Sequence, residues 1–329
     1  MVKHKGLMAE PGMVERIRRM AAAAGVRSGA TADERPGASS RKPVAGRGGL
    51  TLGIGDDCAI FRPRAREELL FTTDMLIEGR HFLRGTHRAQ DLGWKALARG
   101  LSDIAAMGGD PRFCLVSLAL PAWAGQTFVD GFYRGLLRLA REAQAPLAGG
   151  DLARSETLFC DIVVCGAVPR GTALRRDSAR AGDAIYVSGV LGGSALGLAR
   201  SRGRAWLRHR RPVPRLALGR FLRTRLRATA AMDLSDGLSL DLARLAEASG
   251  LCAAIEAPPV YPGASLDQAL HGGEDYELLF TVPPRTRVPE RFEGLPLTRI
   301  GTMRRGRPGL LLLAGQALEP LGFDHFRQP

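Results

Sequence analysis

The acidic residues of this chain fall where carboxylates can reach a bound molecule. Asp56-Asp57 follow Gly53-Ile-Gly55, Asp74 follows Thr72-Thr73, and Asp103 follows Leu101-Ser102. Asp151 follows Gly149-Gly150, Asp233 and Asp236 bracket Leu234-Ser235, and Glu274-Asp275 follow Gly272-Gly273. Each is expected at a turn or an element end, most beside Gly, Ser or Thr, where side chains are exposed and the backbone can approach a ligand. One such Asp is ordinarily a turn residue or a helix cap. So many such groups in one chain ask for a stronger explanation. Carboxylates gathered from several loops repel one another unless cations lie among them. All-oxygen donors favour Mg²⁺, which takes a few carboxylates and completes its shell with water and substrate phosphates. The pattern therefore points to a polyphosphate site of the kind used in phosphoryl transfer.

The familiar nucleotide motifs are missing: the chain has neither G-x-x-x-x-G-K-[ST] nor the H-R-D and D-F-G pair of protein kinases. The loop Gly189-Val-Leu-Gly192-Gly193-Ser194 opens an expected helix and offers backbone N–H groups to a phosphate. Close packing of that helix on a strand explains its small residues equally well. The 329 residues carry a formal charge of +14, and Arg200–Arg227 holds eleven arginines and no acid. Only Trp206 and Phe221 interleave with these arginines, so a solvated helical face fits better than a nucleic-acid surface. Cys58, Cys114, Cys160, Cys165 and Cys252 form no C-x-x-C pair, and three lie in apolar runs. They read as buried thiols in a reducing compartment. No apolar run approaches the roughly 18–20 residues needed to span a membrane, and a cytoplasmic location is expected.

The elements that must position these acids alternate along the chain. Helical spacing covers Val14–Ala24, Asp91–Met107 (Leu92, Leu97, Leu101 and Ile104 on one side), Phe128–Gln144 and Leu238–Ser249, with a further helix from about Ser194. Strands are expected at Leu69–Thr73, Phe113–Leu120, Leu158–Val168, Ala184–Ser188, Leu278–Val282 and Leu310–Leu313. This is an α/β or α+β pattern in two halves: an N-terminal helix and flexible Gly/Ser-rich loop over 1–49, a domain at 50–170, and a second at 171–329.

Longer motifs carry a resemblance. Gly53-Ile-Gly-Asp-Asp-Cys-Ala-Ile60, the Thr72–Phe82 run and the Lys95–Pro111 run resemble the thiamine-monophosphate kinase family. So do Gly149-Gly-Asp151, Met232-Asp-Leu-Ser-Asp-Gly-Leu238, Gly272-Gly-Glu-Asp-Tyr-Glu-Leu-Leu-Phe280 and Gly322-Phe-Asp-His-Phe326. The resemblance implies the two-domain fold of aminoimidazole ribonucleotide synthetase, with an N-terminal sheet domain that pairs in a homodimer and a C-terminal α/β domain. It implies ATP as co-substrate, thiamine monophosphate as acceptor, several Mg²⁺ ions, and in-line transfer without a general base. Asp57, Thr72, Thr73, Asp74, Asp103, Asp151, Asp233 and Asp236 match the family's metal ligands. Gly150, Asp151, Arg176 and Ser235 match its ATP contacts, and Arg176 would help the metals neutralise charge. His81, Glu274 and Phe323 match positions near the thiamine. The relatives selenophosphate synthetase and the hydrogenase-maturation protein call for a reactive N-terminal Cys and Lys, or a C-terminal Cys, which this sequence does not show.

Overall fold

The structure, a computed structural model, describes residues 9–24 and 49–323. The expected flexible loop, apart from Gly49, and the Asp324-His325-Phe326 end of the closing motif lie outside the described residues. The chain divides into two compact units. Residues up to Leu101 group with Asp110–Arg170, and Ser102–Gly109 groups with Gly171 onwards, so the division falls inside a helix.

In the first unit, β1 (Leu50–Leu52) and β2 (Ile60–Phe61) form a small antiparallel ribbon. The strands β3 (Glu67–Ile77), β4 (Asp110–Leu120), β5 (Leu147–Arg154) and β6 (Phe159–Pro169) form a sheet in the order β3-β6-β4-β5, with only the β4–β5 pair parallel. Along β3, Leu70 and Leu76 are buried, whereas Phe71 and Met75 are 64% and 51% exposed. That alternation of period two leaves one sheet face packed and the other open. The helices are α1 (Glu10–Ala23), α2 (Ala89–Ala106) and α3 (Gln126–Glu142). The four apolar residues expected on one side of α2 are buried, and so are Asp91, Lys95 and Arg99. The helix is thus enclosed rather than one-sided. Its crossing with α3 is close because both helices offer glycine: a Cβ on Gly93 would stand 1.9 Å from Phe132 O, and one on Gly135 would stand 1.9 Å from Gln90 O.

The second unit is built on a sheet of β7 (Ala184–Ser188), β8 (Ala230–Asp233), β9 (Cys252–Ile255), β10 (Leu278–Val282), β11 (Arg291–Phe292), β12 (Leu295–Arg304), β13 (Leu311–Leu313) and β14 (Gln316–Leu318). The strand order is β14-β13-β9-β12-β7-β10-β8, with β11 on β12. Helices α4 (Gly193–Arg200), α5 (Gly203–Arg210), α6 (Leu216–Phe221), α7 (Leu238–Ala248) and α8 (Leu266–His271) complete it, with a π-helical turn at Leu222–Leu226. Two cores form here. Leu279 joins the one with Leu242, Leu245 and Ile300, while Phe280 and Val282 join the one with Leu218 and Leu222. Both faces of β10 are therefore covered, which explains its unbroken apolar run. The pattern predicts neither β5 nor β12: the first carries two glycines, and the second has Pro296 at its second position.

Candidate active site

Strand geometry decides what the first unit offers. Thr72, Thr73 and Asp74 lie within β3, not at its end, because the strand runs on to Ile77. Successive side chains point to opposite faces. Thr72 and Asp74 face the packed side, where Asp74 Oδ1 stands 2.6 Å from Arg99 Nη2 of α2. Arg99 Nη1 also donates to Met75 O at 2.7 Å. Thr73 faces the open side and donates from Oγ1 to Asp161 Oδ1 at 2.6 Å.

Asp161 was not anticipated. The register places it opposite Met75 on one side and Ser117 on the other, and Ser117 pairs in turn with Asp151. Asp161, Ser117 and Asp151 thus share a row across the open face. Asp151, expected at a turn, stands in mid-strand, and its Oδ1 accepts from Leu152 N–H at 2.9 Å. The Gly-rich stretch before it serves close strand pairing, since a Cβ on Gly150 would stand 1.9 Å from Val116 O. Asp57 is exposed, and its N–H donates to Asp56 Oδ1 at 2.8 Å. His81 Nδ1 accepts from Ile77 N–H at 3.0 Å. That bond leaves the ring proton of a neutral imidazole on Nε2.

In the second unit the candidates converge. Asp233 ends β8 opposite Leu278 and is 7% exposed. Glu274 N–H donates to Ser235 O at 2.7 Å, Tyr276 N–H to Leu234 O at 2.9 Å, and Phe323 N–H to Asp236 O at 3.0 Å. Main-chain bonds therefore hold Ser235, Asp236, Glu274 and Phe323 as one cluster. Phe323 stays 46% exposed. Arg244 Nη1 bonds Asp236 Oδ2 and lies 3.1 Å from Asp241 Oδ1. Asp241 is fully buried, and its Oδ2 accepts from Asp236 N–H at 3.0 Å and Gly237 N–H at 3.1 Å. Burial, reinforced by the neighbouring Asp236 charge, pushes the Asp241 carboxyl up to about 7 against the pull of those N–H groups and Arg244. Asp103 lies in the last turn of α2, and exposed Arg176 accepts at its carbonyl from Ser249 Oγ at 2.9 Å.

The Gly189–Ser194 loop is not an open phosphate cradle. Asp275 already fills it: its carboxylate accepts from Gly192 N–H and, at 2.9 Å, from Ser194 N–H. Burial raises the Asp275 carboxyl above its ordinary range, opposed by Arg208 and these N–H groups.

No three His, Cys, Asp or Glu side chains among the described residues stand close enough to hold a metal ion by themselves. The donors are nevertheless hard oxygens set singly or in pairs. They fit Mg²⁺ that arrives with phosphate and keeps part of its water shell, rather than a resident ion in a protein cage.

The comparisons identify the assembly. Residues 55–169 match the family model described as AIR synthase related protein, N-terminal domain. The thiamine-monophosphate kinase of Escherichia coli (strain K12) is 39% identical over 308 residues, 85% of this chain and 93% of that protein. The chain belongs to the thiamine-monophosphate kinases. Among solved kinases of this family, that of Stenotrophomonas maltophilia K279a is 35% identical, covers 94% of this chain and 98% of its own, and superposes with a TM-score of 0.77. A structure described as AaThiL complexed with AMPPCP and TMP is 33% identical, with coverage of 80% and 89% and a TM-score of 0.72. Membership bears out the two-domain fold that the resemblance implied.

Proposed function

We propose that the chain transfers the terminal phosphoryl group of ATP to the phosphate of thiamine monophosphate, giving thiamine diphosphate and ADP. The observation that carries this reading is the likeness to the relative complexed with AMPPCP and TMP, which extends over 80% of this chain. An acceptor phosphate oxygen attacks the γ-phosphorus, a new P–O bond forms, and the bond to the ADP oxygen breaks. A phosphate monoester has its second pKa at about 6 and is mostly dianionic at neutral pH, so no general base is required. The obstacle is repulsion between two anions.

Asp57, Thr72, Thr73, Asp74, Asp103, Asp151, Asp233 and Asp236 are the residues that would hold Mg²⁺. Bound there, Mg²⁺ neutralises phosphate charge as it builds in the transition state. Asp161, bonded to Thr73 and in one row with Asp151, joins this set. Thr72 and Thr73 point to opposite faces, so they serve different ions or act through their carbonyls. Gly150, Asp151, Ser235 and Arg176 take ATP. His81, Glu274 and exposed Phe323 take the thiamine, whose cationic ring is attracted to an aromatic face. The open face of the four-stranded sheet, with Phe71 and Met75 exposed, is the surface through which two copies pair. All five cysteines are free, and four are buried as expected, whereas Cys58, in the loop between β1 and β2, is exposed; free thiols suit the reducing cytoplasm. Among the described residues no helix is long and apolar enough to cross a membrane.

The test is thiamine diphosphate formation from thiamine monophosphate, ATP and Mg²⁺, with free thiamine and EDTA controls. Product from the monophosphate alone, abolished by EDTA, is expected. Absence of product under these conditions overturns the reading.

A further inference from the structure

Glu277, like Asp241, has no exposed surface. Its Oε1 accepts from Arg208 Nη2 at 2.8 Å and Arg215 Nη2 at 2.6 Å, and its Oε2 accepts from Arg215 Nε at 2.9 Å and Ser188 Oγ at 2.5 Å. Arg208 also reaches Val190 O at 2.8 Å, and its Nε stands 3.6 Å from Asp275 Oδ1. Two half-buried arginines thus face two buried carboxylates. The chain passes it tightly: a Cβ on Gly189 would stand 2.3 Å from Glu277 Oε1, and Gly189 has φ +65°.

The segment carrying Asp275 and Glu277 is strained. Glu274 and Tyr276 adopt φ of +65° and +50°. Non-glycine residues rarely take this left-handed conformation, and it persists only where the surroundings over-determine it. Here Asp275 and Glu277, alternating with the strained residues, are the anchors. The same turn makes main-chain bonds from Glu274 to Ser235, from Tyr276 to Leu234, and from Leu234 N–H to Glu277 O at 2.9 Å. The Glu274 carboxylate itself lies 3.4 Å from Nδ1 of buried His209, which also bonds Ser194 Oγ at 2.9 Å. The anchors and the presented side chains therefore belong to one continuous network.

We propose that Glu277, clamped by Arg208 and Arg215, is a positioning residue for the phosphoryl transfer. It holds the 274–277 turn in its strained form and so sets where Glu274 and Ser235 stand. This assignment rests on the function proposed above. Arg208 and Arg215 then have an internal task, whereas Arg200, Arg202, Arg204, Arg220, Arg225 and Arg227 of the same segment are exposed.

The experiment compares the full-length protein with Glu277→Gln, Arg215→Lys and, as an exposed control from the same segment, Arg225→Ala. Steady-state kinetics with both substrates are measured well below the unfolding midpoint. Amide exchange of 233–237 and 272–278 is followed without ligands. Glu277→Gln keeps the shape but loses the charge that both arginines face. It is expected to lower kcat about ten- to a hundredfold, the usual range for groups that orient a reacting shell. Exchange in both segments should quicken, while Arg225→Ala matches wild type in both readouts. A folded Glu277→Gln with wild-type kcat and KM, even at a lowered melting point, makes the cluster merely structural and overturns the assignment. Should Glu277→Gln fail to fold, Arg215→Lys, which keeps the charge and loses the fork, decides by the same criteria. If wild type makes no thiamine diphosphate, the functional reading fails on its own. The exchange comparison then still decides whether Glu277 fixes the turn.

Discussion

Replacing Gly135 with alanine sets two effects of opposite sign against each other. Alanine favours a helix over glycine by about 1 kcal/mol, so a helix-propensity view predicts a more stable protein. The geometry predicts the reverse. The new Cβ would stand 1.9 Å from Gln90 O, 2.6 Å from its carbonyl carbon and 2.8 Å from its Cα. All three are backbone atoms, so no side chain can rotate away. Ordinary contact requires α2 and α3 to part by at least about 1 Å, in an interior packed as densely as an organic crystal. Overpacking typically costs about 1–3 kcal/mol. A forced backbone shift lies at the upper end, because Leu92, Lys95 and Leu97 on α2 lose contacts as the helix lifts. The net expectation is a loss of about 2 kcal/mol, or roughly 4–8 °C in the midpoint of the first unit. Differential scanning calorimetry resolves this, with Gly131→Ala alongside. There the nearest atom is the Ala89 methyl at 2.8 Å, so the penalty should be smaller. A Gly135→Ala protein as stable as wild type, or more so, would refute the close crossing.

Asp74→Asn and Asp103→Asn should each lower thiamine diphosphate formation at least about a hundredfold while circular dichroism stays native; full activity in either would remove the metal assignment. Asp241 gives a pH-dependent stability. Its folded value of about 7 exceeds the ordinary 3.8, so between these pH values the native state holds a proton that the unfolded chain has lost. Its contribution is therefore greatest below about pH 4 and falls by about 4 kcal/mol as pH rises to 7. In EDTA-treated protein, urea titrations of Asp241→Asn should lack that slope, and parallel curves for variant and wild type would refute the assignment. Among the thiols, exposed Cys58 should react with iodoacetamide at pH 8 far faster than the four buried ones. Burial pushes Cys114 up to about 12 and Cys165 up to about 11. Mass spectrometry showing early labelling at either would contradict their enclosure.

What the sequence disclosed depended on whether the signal was local. Helices α2 and α3 and strands β6 and β7 follow from contiguous periodicity, and their bounds differ from expectation by about two residues, as frayed ends do. The motif residues around Ser235 and Glu274 were legible for the same reason. Strand β5 was not, because its glycines suit a turn locally. Only the parallel partner Val116, more than thirty residues away, makes them necessary. Asp161 was hidden in an apolar run. Its importance lies in the register that sets it beside Thr73 and in the row of Asp151.

The basic segment shows the same limit in its charges. Read alone, Arg200–Arg227 lacks acids and so looks like a solvated face. Six of its arginines are indeed exposed, but Arg208 and Arg215 meet an acid from elsewhere in the chain. Burying an ionised carboxylate costs several kcal/mol unless opposite charge and hydrogen bonds replace the water. Glu277 lies at the head of an apolar strand and cannot be tolerated there without the two arginines, more than sixty positions earlier, that enclose it. Arg223 likewise spends its Nε on Gly108 O at 2.8 Å, at the end of α2. A run of like charge in a sequence is therefore ambiguous until the acids it meets are known. A single acid at the head of an apolar strand, such as Glu277 just before Leu278-Leu279-Phe280, is the feature that resolves it. Such an acid requires a cationic partner, and the nearest surplus of cations in this unit is that run.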